Sequence, residues 1–244
     1  MTLRRLQGQT ALITGAAKRI GREIALALAG KGVNIFIHYR SSAEEAEELH
    51  GHLAAQGVKS WLVRADFENA EETETLIEQS IEIAGSLDIL VNSASMFPES
   101  TLNDVSFEDL VQNVQVNAWA PFVLSREFAR RVGRGKIVNL LDSRLNGYDW
   151  SHVAYFLSKH VFSVLTEMTA LEFAPEITVN GVAPGLILPP PGKDESYLDP
   201  LVDTVPLKRH GSPRDIAEAV IYLLKSDFMT GHVIHVDGGR HLVE

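Results

Sequence analysis

The chain has 244 residues, 45% of them hydrophobic, which fits one large α/β domain with a sizeable core. The absence of cysteine excludes disulfides and thiolate metal sites, and a formal charge of −10 argues against nonspecific nucleic-acid binding. Residues 1–6 lack the apolar run of a leader and no stretch is long enough to span a bilayer, so a cytoplasmic protein without membrane or nucleic-acid partners is expected.

Residues 10–14 form a short apolar run ending at Gly15, and 20–29 show helical periodicity that Gly32 stops. Residues 33–39 read as a buried strand. Ser42-Ala43-Glu44-Glu45 has the form of a capping box and opens a helix that Gly57 closes. Residues 58–65 are strand-like, Asn69-Ala70-Glu71-Glu72 opens a third helix that Gly85 ends, and 87–91 form another short strand. One helical signal covers 106–131, followed by a strand at 136–141, a long helix at 152–173 and a strand at 177–182. Residues 185–211 are rich in Pro and Gly and lack periodicity. Ser212 and Pro213 begin the last helix, and 233–236 form a closing strand. Strand and helix alternate, and the apolar runs are continuous. That pattern predicts a doubly wound parallel α/β sheet with helices on both faces, in a single domain over 1–244.

Gly15, Lys18, Arg19, Ile20 and Gly21 occupy the first strand-to-helix turn, where backbone N–H groups at a helix start can hold a pyrophosphate. The turn does not match G-x-G-x-x-G, and a tight packing turn is the alternative. The second strand ends in His38-Tyr39-Arg40-Ser41-Ser42, with no acid before Glu44. An arginine there suits a 2′-phosphate, so NADP(H) is expected over NAD(H). Lys18, Arg19, His38 and Arg40 then cluster at the adenosine end. Asp66 ends the third strand, either to accept from an adenine amino group or to cap a turn. Asn92-Ser93-Ala94-Ser95 ends the fourth strand with small residues that either let backbone approach a flat ring or simply suit the loop between strand and helix. Tyr155 and Lys159 are four residues apart, so one helix face carries both. An ammonium beside a phenol favours the phenolate. Asp142 precedes them at the end of an apolar run.

The glycine turn, Asn92-Ser93-Ala94-Ser95, Asn117, Tyr155-x-x-x-Lys159 and Val182-Ala183-Pro184-Gly185 resemble the short-chain dehydrogenase/reductase family in order and spacing, over nearly the whole chain. The resemblance implies a Rossmann-like sheet of seven strands binding a nicotinamide cofactor, with contacts at Asn92, Ala94, Ser95, Pro184 and Gly185. It implies Tyr155 as proton donor. Lys159 holds the nicotinamide ribose and lowers the tyrosine pKa, and Asn117 supports a water linking Lys159 to solvent. It also implies a homotetramer, with one interface on the helices near 106–131 and 152–173. Phe156, Val161 and Leu165 serve either that interface or the core.

Three departures resemble the pteridine reductases and dihydromonapterin reductases: Arg19 at the middle glycine, Ser95 followed by Met96-Phe97, and Asp142 at the usual catalytic serine. That likeness places Arg19, Ser95, Phe97, Asp142 and Tyr155 on a pterin substrate, with Phe97 stacking on its ring. Reducing a C=N bond needs a proton on nitrogen, which a partly buried aspartate or tyrosine can supply. Ser143 is the rival, since neighbouring strand residues face opposite ways. With Ser143 inward, a carbonyl or 3-oxoacyl reductase follows. A non-catalytic NADP-binding module is the remaining alternative. Residues 186–211 form the family's substrate lid, and Arg240 and His241 are tail residues that reach a neighbour's site or face solvent. No metal site is expected.

Overall fold

The computed structural model describes residues 6–190 and 192–243. Residues 1–5, Pro191 of the expected lid and Glu244 lie outside the described residues. Seven strands, β1 (Thr10–Ile13), β2 (Asn34–Tyr39), β3 (Ser60–Arg64), β4 (Ile89–Asn92), β5 (Gly135–Leu140), β6 (Ile177–Pro184) and β7 (Val233–Val236), form one sheet in the order β3-β2-β1-β4-β5-β6-β7. Every pairing is parallel. The helices are α1 (Arg19–Ala29), α2 (Ala43–Ala55), α3 (Ala70–Ala84), α4 (Phe107–Val114), α5 (Ala120–Val132), α6 (Val153–Glu172) and α7 (Pro213–Lys225).

The central strands β1, β4 and β5 are buried on both faces, while the edge strands β3 and β7 are only partly covered. Successive side chains still part to opposite layers. Ile35 and Ile37 pack with Leu28, Leu53 and Val220 under α1, α2 and α7. Phe36, between them, packs with Leu76, Leu124 and Phe128 under α3 and α5. Among the described residues, no helix is long and apolar enough to cross a membrane.

Three local expectations change. The single helical signal over 106–131 is two α-helices joined by a π turn, Gln115–Trp119. Pro121 has no N–H for the Asn117 carbonyl, and bonding shifts to Ala120 N–H on Gln115 C=O. Ser42 makes no side-chain cap for α2, and Glu45 pairs with Lys18 at 2.5 Å instead. The expected caps do form at Asn69, which accepts from the N–H groups of Glu71 and Glu72, and at Ser212 with Asp215. Residues 186–211 hold two short 3-10 turns, Glu195–Tyr197 and Asp199–Thr204, over a small apolar cluster of Leu186, Leu198 and Val205. Turns this short carry too few residues for a period to show.

On α6, Val161 is 41% exposed, in line with Leu157, Val164, Met168 and Leu171 along one apolar face. Leu165 packs inward on Phe162, and Phe156 is half-buried against His160.

Gly21 sets α1 hard against the turn before it, because a Cβ there would lie 2.3 Å from the Gly15 carbonyl oxygen. Gly21→Ala should therefore lower stability by about 1–3 kcal/mol in urea unfolding.

Candidate active site

In this strand order the chain reverses direction across the sheet between β1 and β4, and the loops leaving their C-terminal ends part to form a crevice. Thr14 ties the two ends together: its Oγ1 accepts from the N–H groups of Ser93 and Ala94, each at 2.9 Å. Gly15 adopts φ +64, and a Cβ there would come within 3.0 Å of the Ala94 Cα. The approach needs glycine. A cleft of about 530 Å³ opens above, within the range of small-molecule sites.

Lys18, Arg19, Ile20 and Gly21 line one end of this cleft at the start of α1. No side chain caps α1, so its leading N–H groups are available to an anion. Arg19 holds φ +56, which costs an L-residue roughly 1–2 kcal/mol. Its guanidinium donates to the Pro189 carbonyl at 2.8 Å, tying the phosphate turn to the lid, and burial lowers its pKa. Arg40 lines the cleft and meets Glu68 at 3.3 Å, as Lys18 meets Glu45. Such exposed pairs are weak, and a phosphate can replace the carboxylates. Asp66 lines the cleft, and its Oδ1 accepts from the Glu68 N–H at 3.1 Å, as a turn cap does. Ala94, Ser95, Pro184 and Gly185 line the cleft as well. The uncapped helix start, the close glycine turn and the two replaceable cations fit a phosphorylated dinucleotide.

Three expected cofactor residues are placed differently from the rest. His38 lines the cleft but adds no positive charge. It is buried against the Phe67 ring, and burial pushes its pKa down to about 4. Its Nδ1 accepts from the Gly15 N–H at 3.1 Å and its Nε2–H donates to the Ala65 carbonyl at 3.1 Å, so it braces the turn as a neutral ring. Ser41 is exposed beyond the cleft lining. Asn92 is buried under the sheet end, donating to Asn139 Oδ1 at 2.9 Å and Ser125 Oγ at 3.2 Å, and joins strands instead of touching the cleft.

At the other end, Tyr155 and Lys159 project from α6 toward the end of β5. The Tyr155 hydroxyl donates to Asp142 Oδ2 at 2.7 Å, and Asp142 Oδ1 accepts from the Arg144 N–H at 2.8 Å. Lys159 Nζ donates to the Leu140 carbonyl at 2.8 Å and lies 5.6 Å from the Tyr155 ring centre. The expected acidic phenol is overturned in this arrangement. Burial first, then the Asp142 charge and hydrogen bond, raise the Tyr155 pKa well above its ordinary value. Burial lowers Lys159 to about 8, against the pull of Asp142. Ser143 lines the same cleft but is almost fully buried.

Asn117 is fully buried and outside the cleft lining. Its Oδ1 accepts from the Met96 N–H at 2.8 Å and the Ser95 hydroxyl at 3.1 Å, and its Nδ2 donates to Ser158 Oγ at 3.0 Å. Its side chain therefore holds the Ser95–Met96 loop, while its carbonyl, which Pro121 cannot serve with an N–H, is left for another donor. Phe97 forms an aromatic wall edge-on to Tyr155 at 4.5 Å, with one face stacked on His152 at 3.8 Å. Sequence reasoning missed the group behind that wall. His152 and Arg144 both pair with buried Asp149, whose pKa is held down to about 2 by these partners against the effect of burial. Only the fold brings these loop residues together, and no periodicity marks them.

The family described as enoyl-(acyl carrier protein) reductase matches residues 15–241. A 3-oxoacyl-(acyl-carrier-protein) reductase, FabG, from Staphylococcus epidermidis is 31% identical over 242 residues, covering 96% of this chain and 99% of that protein. The structure of FolM alternative dihydrofolate reductase 1 from Brucella canis, complexed with NADP, is similar at a TM-score of 0.91 and 29% identity, covering 99% of this chain and 97% of that one. A short-chain dehydrogenase/reductase from Serratia marcescens also has a TM-score of 0.91, at 29% identity, covering 98% of this chain and 100% of its own.

Between pH 6.5 and about 4 the unfolded chain protonates at His38 while the folded chain does not, so stability falls as pH drops through that window. The loss should be on the order of 3 kcal/mol by urea unfolding, and His38→Gln should flatten it.

Proposed function

Because this chain belongs to the short-chain dehydrogenase/reductase family, we propose that it is an NADPH-dependent reductase of a pterin ring of the dihydropterin or dihydrofolate type. The observation that carries this is the 2.7 Å hydrogen bond between Tyr155 and Asp142, where a carbonyl reductase keeps a hydroxyl. Likeness to a Brucella alternative dihydrofolate reductase supports it.

NADPH supplies a hydride when bound. Lys18 and Arg40 offer charge to its phosphates, Arg40 suiting a 2′-phosphate, and the N–H groups at the start of α1 hold the pyrophosphate. The free face of Phe97 takes one face of a flat heterocycle and leaves its polar edge for hydrogen bonds. Arg19 and Ser95 line the same cleft and are the polar side chains proposed to meet that edge. Tyr155 is held protonated, the state a proton donor needs. Its hydroxyl rotates from Asp142 to a ring nitrogen and delivers the proton as the carbon is reduced. Giving up that proton leaves two acidic oxygens side by side, which cannot both stay charged, so Asp142 and Tyr155 draw in a replacement. The Lys159 ammonium compensates the charge and is lost above about pH 8.

Reduction of a 3-oxoacyl thioester is the second reading, favoured by the FabG relative and by Ser143 on the same cleft wall. The exposed apolar face of α6 supports assembly as a homotetramer.

Purified enzyme should oxidise NADPH with dihydropterins and not with 3-oxoacyl thioesters or simple ketones. Asp142→Ala should lower kcat by about 10²–10⁴-fold. Turnover of ketones alone would overturn the pterin assignment and leave the family intact. For the cofactor, Arg40→Asp should weaken NADPH by about ten- to a hundredfold and spare NADH, measured by fluorescence titration.

A further inference from the structure

Three side chains at the C-terminal end of β7 take no part in the chemistry above: His235 on the strand, and Asp237 and His241 in the turn that follows. We propose that they form a binding site for a divalent transition metal of the zinc class. Two imidazoles and a carboxylate are a donor set that zinc accepts. Their ligand atoms all lie within 4.8 Å of one another. Ligand atoms around a tetrahedral zinc are about 3.4 Å apart, a gap that small side-chain rotations close.

The backbone holds the donors in place. Asp237 is buried, and its carboxylate accepts from the N–H groups of Gly239 at 3.0 Å and His241 at 2.7 Å. Gly238 at φ +66 and Gly239 at φ +89 fold the chain back, so the His241 ring stacks on His235 with centres 4.1 Å apart. His241 Nδ1 lies 2.7 Å from Asp237 Oδ2, so two of the three donors already sit side by side. His235 Nδ1 is buried and has no hydrogen-bond partner among the described residues. A buried ring nitrogen ordinarily has a partner, and a metal ion would serve as one. In sequence the site reads His-x-Asp-x-x-x-His, a spacing that pairs the end of a strand with one turn.

The site sits beside the lid. Gly238 accepts from the Leu207 N–H at 3.2 Å, and Gly239 faces Pro206. Arg240, in the same turn, lines the cleft. A bound metal would fasten the turn on which the lid rests.

The test uses the full chain, stripped with EDTA, dialysed and titrated with zinc chloride by calorimetry near neutral pH, with thermal unfolding followed in parallel. One zinc per chain and a raised unfolding midpoint are expected. His235→Ala and His241→Ala should each weaken binding by about tenfold or more, while His232→Ala, an exposed histidine of the same segment, should not. No saturable binding, or binding that survives both variants, overturns the proposal. These readouts do not depend on which substrate the enzyme reduces.

Discussion

All seven strands run parallel, so every one ends at the same edge of the sheet, and the loops leaving those ends are forced together. The cleft follows from that constraint. β1 and β4 close its floor through Thr14, Gly15 and Ala94, where one oxygen receives two backbone N–H groups and no Cβ fits. The loop after β5 brings Asp142, and α6 returns Tyr155 and Lys159 over it. The loop after β6 closes the roof and reaches Arg19 through Pro189. Side chains far apart in sequence meet because a parallel sheet leaves its strand ends nowhere else to go.

Charge in the cleft is arranged against the protein's acidic balance. Lys18 and Arg40 carry carboxylate partners that solvent makes easy to displace. Arg19 is different: it occupies a left-handed conformation where the family has glycine, and its head is partly buried on a lid carbonyl. An arginine retained at that conformational cost joins the phosphate turn to the lid, a link that glycine cannot make. At the catalytic end, burial is the dominant force on both Tyr155 and Lys159, and it opposes charge on each. Asp142 adds to that effect on Tyr155 by its charge and by accepting the hydroxyl hydrogen bond.

Two expectations change for the same reason. The place of His38 at a strand end suggests a charge for the cofactor, and the family resemblance puts Asn92 on the cofactor. In the fold their side chains satisfy neighbouring backbone and side chains: His38 braces Gly15 as a neutral ring, and Asn92 bridges β4 to β5. A buried polar group must find partners, and whether those are ligand or protein depends on packing, not on residue type. The expected depressed Tyr155 pKa changes likewise, since helix spacing puts Lys159 on the right face but does not show that burial and then the Asp142 carboxylate oppose the phenolate.

By itself the sequence determined the alternation of buried strands and amphipathic helices, the phosphate turn, and the Tyr155–Lys159 pair, because each is a local pattern of period or spacing. It also carried the family, through motifs whose order survives without coordinates. Only the tertiary structure decided that Asp142 bonds the Tyr155 hydroxyl while the neighbouring Ser143 is buried, that Asp149 and His152 stand behind Phe97, and that His235 meets Asp237 and His241. Those are matters of which elements the fold brings together, a strand end against a turn or a loop against a helix, which no local period records.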